Sequence, residues 1–547
     1  MLGLFVFVSV AVLFFLSFML PDHYHPWTYF YQDFCAVLAL VFLVFWFVLV
    51  RRRLYVSKYF LVVVLVACIP MVQLFYGIVY FFGDAFLVSV YLVVFFVSVC
   101  IGGQVFYEDR FEGRLIVAWF SMLVLFAVLS TWASFLQWFQ LPSGGFVADL
   151  LGGGRPFANF SQPNNFSTLN LMGLAGVIYL FESRRIGWLG SLVLAVFIVF
   201  GVVLAQSRTA WVCLFLFVMF WALRRRRLNF RLSFRCLLGV VFGYFCLVFF
   251  LADIARFFGL ESVGFSGRDD GSARINLWSQ MLFAVGKAGL VGFGWNQVSV
   301  AQFFVTVEHP LQLMTEHSHN LFVDLLVWNG VVVGSGISLL LVLWVGRMAL
   351  CSVRLESFFL LAAAGAVLVH SMFEFPVEYA VFLIPVGLML GYVHAEVFGG
   401  GVRFFSRFFS LPMFFVFLFL MAFVFKEYRV LQEDYRLLRF ESAKIGLSKV
   451  RSEEMSPDVV IFDQLSMLLR LGRTPLESVL GEAELVNMRK LVSRYPYPWS
   501  LLRYSIICYS SGAYYEAGYA LLVIRYLYGE DLYFQALDAF SKSLGEF

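Results

Sequence analysis

The segment MTEHSHNLFVDLLVWNG, residues 314–330, places His317 and His319 one residue apart, immediately before an apolar run, in a chain that has only seven histidines. Histidine suits proton transfer because its unperturbed pKa lies near neutral pH, and Asn320 could orient the ring or a substrate. A metal site and a simple cap at the membrane interface are the alternatives. A metal is disfavoured because side chains at i and i+2 do not share a helical face.

Two arginines stand where a positive charge is unusual. Arg208 lies in AQSRTAW, between two apolar stretches, where a charge is costly and usually functional. Arg274 opens the amphipathic segment SARINLW. A guanidinium group keeps its charge and donates paired hydrogen bonds to phosphate oxygens, so both are candidate ligands for a lipid diphosphate. Three other cations are better interpreted as solvated loop residues: Arg256, Arg268 and Lys287.

Two further segments carry polar side chains between apolar stretches. GRPFANFSQPNNFSTLN contains Arg155, Gln162, Asn164 and Asn165. Amides there could bind sugar hydroxyls or phosphate at a helix N-terminus, although a turn and cap would use the same residue types. VHSMFEFPVEY forms a tight hairpin containing three candidate site residues: His370, Glu374 and Glu378.

Carboxylates beside a bilayer are uncommon without a partner, and Arg208 or Arg274 is the expected one for this hairpin. An ordinary short loop is the alternative. We expect the imidazole of His319 and these two guanidinium groups to meet in one pocket at the outer leaflet.

The composition indicates a polytopic membrane protein. The 547 residues are 62% hydrophobic and 14% charged, with a mean hydropathy of +0.87. Soluble domains average about 45–50% apolar and about 25% charged residues. The net charge of +4 does not suggest a nucleic-acid partner. The elements that position the polar segments are therefore membrane helices.

Apolar stretches long enough to cross a hydrocarbon core of about 30 Å recur along the chain. They predict an all-α protein with about thirteen transmembrane helices, near 1–20, 34–50, 59–81, 85–104, 115–138, 168–181, 187–205, 209–223, 236–252, 319–345, 357–371, 379–396 and 408–425.

Lys and Arg set the predicted orientation, because cytoplasmic loops retain positive charge. The runs at 51–53, 184–185 and 224–227 fall on alternate loops. The N-terminus is therefore predicted to be cytoplasmic, and three segments are predicted on the outer side: the loops 139–167 and 253–318, and a tail. Residues 1–425 would form the membrane domain, and 426–547 a small helical domain that is possibly tetratricopeptide-like.

These segments together resemble the O-antigen ligase and polymerase superfamily of bacterial inner membranes, and more narrowly the PglL-type protein O-oligosaccharyltransferases. The resemblance covers most of the membrane part and is carried by RPFANFSQPNN, SRTAW, RINLWSQMLFAVGKAGLVGFGW, HSHNLFVDLLVWNG and HSMFEFPVEYAVFLIPVGLMLG. It implies transfer of a glycan from undecaprenyl diphosphate to a serine or threonine of a periplasmic protein, often a pilin.

The resemblance also implies roles for individual residues. His319 matches an essential histidine followed by Asn and, further on, by Gly330. Arg208 and Arg274 match arginines that hold the diphosphate, and the hairpin matches a family signature. The loop segment departs from the family, because a histidine is expected where this chain has Asn165. The resemblance implies that His319 acts as the base and that arginines stabilise the leaving group. Direct displacement would invert the anomeric centre. Neither a cofactor nor a metal is expected.

Two alternatives stay open at this stage. The first keeps the chemistry and changes the acceptor, which gives an O-antigen ligase acting on lipid A-core or an O-antigen polymerase. The second is a transporter with an anion vestibule. It is disfavoured because transporters usually show paired helix interruptions in repeated halves, and the sequence shows no such pair.

Overall fold

The computed structural model describes residues 2–50, 53–57, 59–108, 112–260, 271–399, 402–443 and 456–545. These residues form twenty α-helices, two β-strands and short 3-10 turns. Helices α1 to α9 are Leu2–Met19, Phe30–Val50, Phe60–Phe75, Phe82–Tyr107, Glu112–Trp138, Pro163–Glu182, Trp188–Ala205, Arg208–Arg224 and Phe234–Phe257. Helices α10 to α15 are Ser272–Ala288, Val298–Val305, Leu321–Cys351, Leu355–His370, Ala380–Phe398 and Arg407–Ser442. The tail contains α16 to α20, which are Asp463–Arg473, Glu482–Arg494, Pro498–Ser510, Tyr514–Tyr528 and Glu530–Gly545.

The prediction of an all-α polytopic membrane protein is confirmed. Each predicted span overlaps one of the helices α1–α9 and α12–α15. Eight helices in the described part of the chain are long and apolar enough to cross a membrane by themselves. Three shorter apolar helices accompany them: Phe5–Met19, Val62–Phe75 and Leu355–His370. The number of spans and their orientation stay predictions.

One element was not predicted. Strand β1, Arg53–Ser57, pairs antiparallel with strand β2, Val402–Ser406, and Arg53 lies opposite Ser406. The sequence analysis placed both segments in loops between predicted spans. Three residues that it named lie outside the described residues: Arg51, Arg52 and Arg268.

The chain forms two compact units, each assembled from distant segments. Unit 1 comprises Met1–Val63, Val93–Arg268 and Val342–Leu418. Unit 2 comprises Val64–Leu92, Asp269–Leu341 and Phe419–Phe547. The predicted division into a membrane domain and a tail domain at residue 425 stays a prediction.

Helix α6 forms the centre of unit 1. It packs against α5, α7 and α13 and is buried along almost its whole length. Aromatic side chains fill the space around it, such as Phe120 of α5 and Tyr179 of α6, whose ring centroids are 4.5 Å apart. The helix begins at Pro163, a residue favoured at the first helical position because its fixed φ suits a helix and its missing N–H is not needed there. The predicted start at 168 was therefore too late, and Asn164 and Asn165 belong to the first turn.

Unit 2 contains the tail helices, and their core includes residues from the membrane part. Phe81 and Phe303 are buried among tail residues such as Leu501 and Ile524. The carboxylate of Asp463 accepts hydrogen bonds from the backbone N–H groups of Phe82, at 3.0 Å, and Gly83, at 2.8 Å. Helix N-termini have backbone N–H groups without partners inside the helix, so this tail carboxylate caps the start of α4.

Helix α12 is interrupted at Gly330, which has φ 71° and ψ 176°. The carbonyls of Val327 and Trp328 accept hydrogen bonds from the N–H groups of Phe293, at 2.8 Å, and Gly294, at 3.0 Å. The side chain of Gln73 donates to the Trp328 carbonyl as well, at 2.9 Å. These partners satisfy carbonyls near the break, so the kink is stabilised by its neighbours within unit 2.

Candidate functional site

The side chain of Gln137 makes several hydrogen bonds to the loop that precedes α6 in unit 1. Gln137, near the end of α5, donates to the carbonyls of Ala148, at 2.8 Å, and Ala158, at 2.7 Å. Its side-chain oxygen accepts from the N–H groups of Phe157, at 3.0 Å, and Ala158, at 2.8 Å. Ala158 has φ 52°, in the left-handed region that non-glycine residues rarely adopt. The glutamine thus stabilises a strained turn in front of the predicted ligands.

His23 connects a second loop to the same region. Its ring nitrogens lie 3.0 Å from the Thr28 carbonyl oxygen and 2.7 Å from the Asn159 carbonyl oxygen. Burial lowers the pKa of this histidine below its usual value, although the two carbonyls act in the opposite direction. Neither His23 nor Gln137 was predicted as part of the site.

The carboxylate of Glu374 binds two amide side chains at the start of α6. Its carboxylate accepts hydrogen bonds from Gln162, at 3.1 Å, and from Asn164, at 3.2 Å. The glutamate is only 5% exposed, so these donors replace water around a buried carboxylate. The two predicted segments, the amide-rich loop and the hairpin, therefore meet. Gln162 and Asn164 orient the hairpin. The sequence analysis did not predict this role for the two amides.

Arg155 binds carbonyls at the end of α7. Its Nε and Nη2 atoms donate to the Ala205 carbonyl, at 3.0 and 2.6 Å, and Nη2 also lies 3.2 Å from the Gln206 carbonyl. The same nitrogen is 3.4 Å from the side-chain oxygen of Asn164. A cation suits this place because the carbonyl end of a helix is negative. The arginine thereby links the turn before Arg208 to the start of α6.

Two helix N-termini lie near Arg155 in unit 1. Helices α6 and α8 both begin here without a side-chain cap in the described part of the chain. Arg208 is the first residue of α8 and is half-buried, and it follows Gln206, which has φ 47°. Uncapped helix N-termini attract anions, and the guanidinium groups add full charges to that field. The arrangement can bind an anionic group such as a phosphate.

Two other predicted ligands point into the protein interior. Asn165 is 1% exposed and donates to the hydroxyl of Tyr29, at 3.1 Å. Tyr29 in turn donates to the Phe160 carbonyl and stacks on Tyr379 with centroids 4.0 Å apart. His370 is fully buried, and its Nδ1 lies 2.8 Å from the Thr168 hydroxyl. These residues bind together the loop, α6 and the hairpin, and their predicted contact with substrate stays untested.

Glu374→Gln is expected to destabilise the protein by about 1–3 kcal/mol, because one of the two amide donors to this buried carboxylate would then face another N–H donor. Thermal unfolding of the purified variant measures the loss. A double-mutant cycle with Gln162→Ala isolates the pair, because residues in contact couple by about 0.5–3 kcal/mol. If the losses of unfolding free energy caused by Glu374→Ala and Gln162→Ala simply add in the double variant, the two side chains are not coupled, which would contradict the hydrogen bond between them.

In unit 2, the histidine segment forms a tightly bonded turn in front of α12. The side-chain oxygen of Asn320 accepts from the N–H groups of Phe322, at 3.0 Å, and Val323, at 3.2 Å, so Asn320 caps the helix. The carboxylate of Asp324 accepts from the Ser318 N–H at 2.8 Å. The membrane-interface cap considered as an alternative is not tested by this helix cap, and the predicted contact of Asn320 with substrate stays a prediction.

His319 has φ 59°, a left-handed backbone conformation. Such residues cost about 1–3 kcal/mol, persist only where the surroundings impose them, and cluster at active sites. Here the bonds on both sides, at Ser318 and Asn320, impose the conformation. His319 is half-buried, and its predicted contact with substrate stays a prediction.

Helix α10 supports this turn from the side. The indole N–H of Trp278 donates to the Ser318 carbonyl at 2.9 Å, next to His319. Arg274 lies one helical turn earlier on α10, and residues four apart are neighbours on a helix surface. Arg274 therefore lies on the helix that contacts the histidine segment through Trp278.

Buried amides fix the rest of the loop. Gln280 donates to the His309 carbonyl at 2.6 Å, and Gln302 donates to the Leu313 carbonyl at 2.7 Å. The oxygen of Gln302 accepts from the Thr315 N–H at 3.0 Å. Because these amides lie on helices, the loop has a defined path up to His317. Trp278, Gln280 and Gln302 were not predicted, and polar residues recurring in apolar segments are the signal that could have found them.

The predicted site residues are divided between the two units. Unit 1 contains Arg155, Gln162, Asn164, Asn165, Arg208, His370, Glu374 and Glu378. Unit 2 contains Arg274, His317, His319 and Asn320. The fold and these clusters define a polytopic helical membrane protein whose half-buried arginines and histidine lie at the ends of helices.

Comparison with known proteins gives the family. Residues 193–338 match the family described as O-antigen ligase, and residues 358–542 match the one described as virulence factor membrane-bound polymerase, C-terminal. The chain is 28% identical over 548 residues to the general O-oligosaccharyltransferase of Acinetobacter baylyi, covering 98% of this chain and 94% of that protein. It is 30% identical over 414 residues to the ComP-specific O-oligosaccharyltransferase of the same organism, covering 73% of each.

The chain belongs to the PglL-type O-oligosaccharyltransferases, within the O-antigen ligase and polymerase superfamily, and is a membrane glycosyltransferase. The resemblance found from the segments is thereby confirmed. The transporter alternative loses its basis, since the relatives are enzymes that transfer oligosaccharides.

Proposed function

We propose that this protein transfers a glycan from undecaprenyl diphosphate to serine or threonine side chains of periplasmic proteins such as pilins. We place it in the bacterial inner membrane, with the N-terminus in the cytoplasm and with the candidate residues and the tail on the periplasmic side. The observation that carries the chemistry is the half-buried His319, presented in a left-handed turn beside the helix that carries Arg274. The family assignment supports a lipid-linked donor and a protein acceptor.

The proposed step is a direct displacement. Neutral His319 accepts the proton of the acceptor hydroxyl while the hydroxyl oxygen bonds to the anomeric carbon. The bond from that carbon to the diphosphate oxygen breaks, and undecaprenyl diphosphate leaves with the electron pair. General-base help contributes about 10²–10⁴-fold. The product has the inverted anomeric configuration.

Arginines are proposed to stabilise the leaving group. Arg274 lies on α10, which contacts the residue before His319 through Trp278, and Arg208 lies at the uncapped start of α8, where the helix field adds to its charge. A guanidinium group can take the electrostatic role that a divalent cation has in other transferases. We therefore propose that the reaction is independent of added metal, and that chelation with EDTA leaves its rate unchanged.

Purified protein in liposomes tests the proposal when it is given a lipid-linked glycan with either a pilin or lipid A-core. Intact mass spectrometry of the pilin is expected to show an added glycan on serine or threonine, and omission of the lipid-linked donor is the control. Glycan found only on lipid A-core would instead identify an O-antigen ligase. A lengthened lipid-linked glycan without transfer would identify a polymerase.

A further inference from the structure

A buried ionic network joins the tail to the membrane part inside unit 2. Arg494, at the end of α17, is 4% exposed, and its partner Asp84, in the first turn of α4, is 3% exposed. Two guanidinium nitrogens lie 3.0 and 3.3 Å from the two carboxylate oxygens of Asp84. Asn296 also donates to Asp84, at 3.2 Å, and the Ser299 hydroxyl donates to the Arg494 carbonyl at 2.8 Å.

The same arginine also faces the histidine segment. Its Nη1 atom lies 3.7 Å from one carboxylate oxygen of Glu316, and the hydroxyl of Tyr497 donates to the other at 2.9 Å. Glu316 immediately precedes His317, and Thr315 on its other side is bonded to Gln302. The start of the histidine turn is therefore attached to the tail on one face and to α11 on the other.

We propose that Arg494 is a positioning residue for glycan transfer, which holds Glu316 and thereby the turn that presents His319. The inference rests on the proposed function of His319. Removing the guanidinium would leave the buried Asp84 without its charge partner, which is strongly destabilising, and would leave the partly exposed Glu316 without its ion pair. The turn that begins at Glu316 would then relax. A displacement of about 1 Å at a reacting group can cost about 10²-fold in rate.

The chain offers a matched control in the same tail. Arg473 is 8% exposed and is bonded to Asp434, at 2.7 Å, and Glu441, at 3.3 Å. None of these three residues belongs to the histidine segment, so Arg473→Gln disturbs a comparable ionic cluster elsewhere. Arg494→Lys keeps the charge and loses the paired hydrogen bonds, so it should rescue part of the effect.

The experiment measures hydrogen exchange and kinetics on full-length protein. Arg494→Gln is expected to lower kcat about 10–10²-fold, to leave KM for the lipid-linked donor unchanged, and to increase amide exchange in residues 306–320. Arg494→Lys should restore part of the protection. Arg473→Gln should leave kcat and the exchange of residues 306–320 at their original values, even with a similar loss of thermal stability.

Two results would overturn the inference. One is unchanged protection of residues 306–320 in Arg494→Gln. The other is an equal loss of kcat in both glutamine variants, which would reveal a merely structural role. Wild-type protein that transfers no glycan would instead contradict the proposed function. The exchange data would still decide whether Arg494 fixes the turn.

Discussion

His319→Asn is expected to lower kcat for glycan transfer by about 10²–10⁴-fold, the usual contribution of a general base. Asparagine is the informative replacement because it is among the residues that best tolerate a left-handed backbone, which position 319 requires at φ 59°. Alanine would add backbone strain to the loss of the imidazole. Mass spectrometry of the acceptor over time measures the rate, and thermal unfolding confirms that the variant folds.

His309→Asn is the control for this experiment. His309 lies in the same loop, with its Nε2 3.3 Å from the Ser279 hydroxyl, and it has no proposed part in transfer. Its replacement should change kcat by less than about twofold, since surface substitutions away from special features change energies by only about 0.5 kcal/mol. A His319→Asn variant that keeps a wild-type rate would rule out the proposed base.

Gly330→Ala is expected to destabilise the protein by about 2–4 kcal/mol, with two causes that act together. The first is the backbone, because φ 71° and ψ 176° lie in a region that is essentially restricted to glycine. The second is space, because a Cβ at residue 330 would lie 2.3 Å from the Leu290 carbonyl oxygen, and backbone cannot move aside as a side chain can. Thermal unfolding measures the loss.

Gly336→Ala is the matched control on the same helix. A Cβ at residue 336 meets nothing within 4 Å in the described structure, and the residue has ordinary helical geometry. This change should be neutral or stabilise the protein by about 0.4–1 kcal/mol, since alanine favours the helix and restricts the unfolded chain. Equal unfolding temperatures for both variants would show that the kink does not need glycine.

The membrane helices were predictable because a long apolar run has one stable outcome in a bilayer. Each predicted stretch overlaps a helix, and most errors concern ends, such as the early start of α6 at Pro163. The sheet was missed because β1 and β2 are short and are far apart in the sequence. Pairing of this kind leaves little local pattern for a sequence analysis to detect.

The burial of the candidate residues was predictable, and their contacts only partly. His319, Arg208 and Arg274 are half-buried, and their contact with a substrate stays a prediction. Arg155 donates to the carbonyls of Ala205 and Gln206, contacts that its charge alone did not indicate. Its predicted binding of the diphosphate or glycan stays a prediction. Arg494 had no signal at all, since its link to Glu316 exists only after the tail has folded.

The carboxylate of Asp463 on the N–H groups of Phe82 and Gly83 has a consequence for engineering. In a hybrid enzyme whose last hundred or so residues come from another species, the residues at 463 and 494 would be those of that species. The cap of α4 and the partner of Asp84 would then both be changed. Such grafts need the stretches 64–92 and 269–341 from the same donor as the tail. The tail is therefore to be exchanged together with these two stretches, as three interleaved pieces of chain.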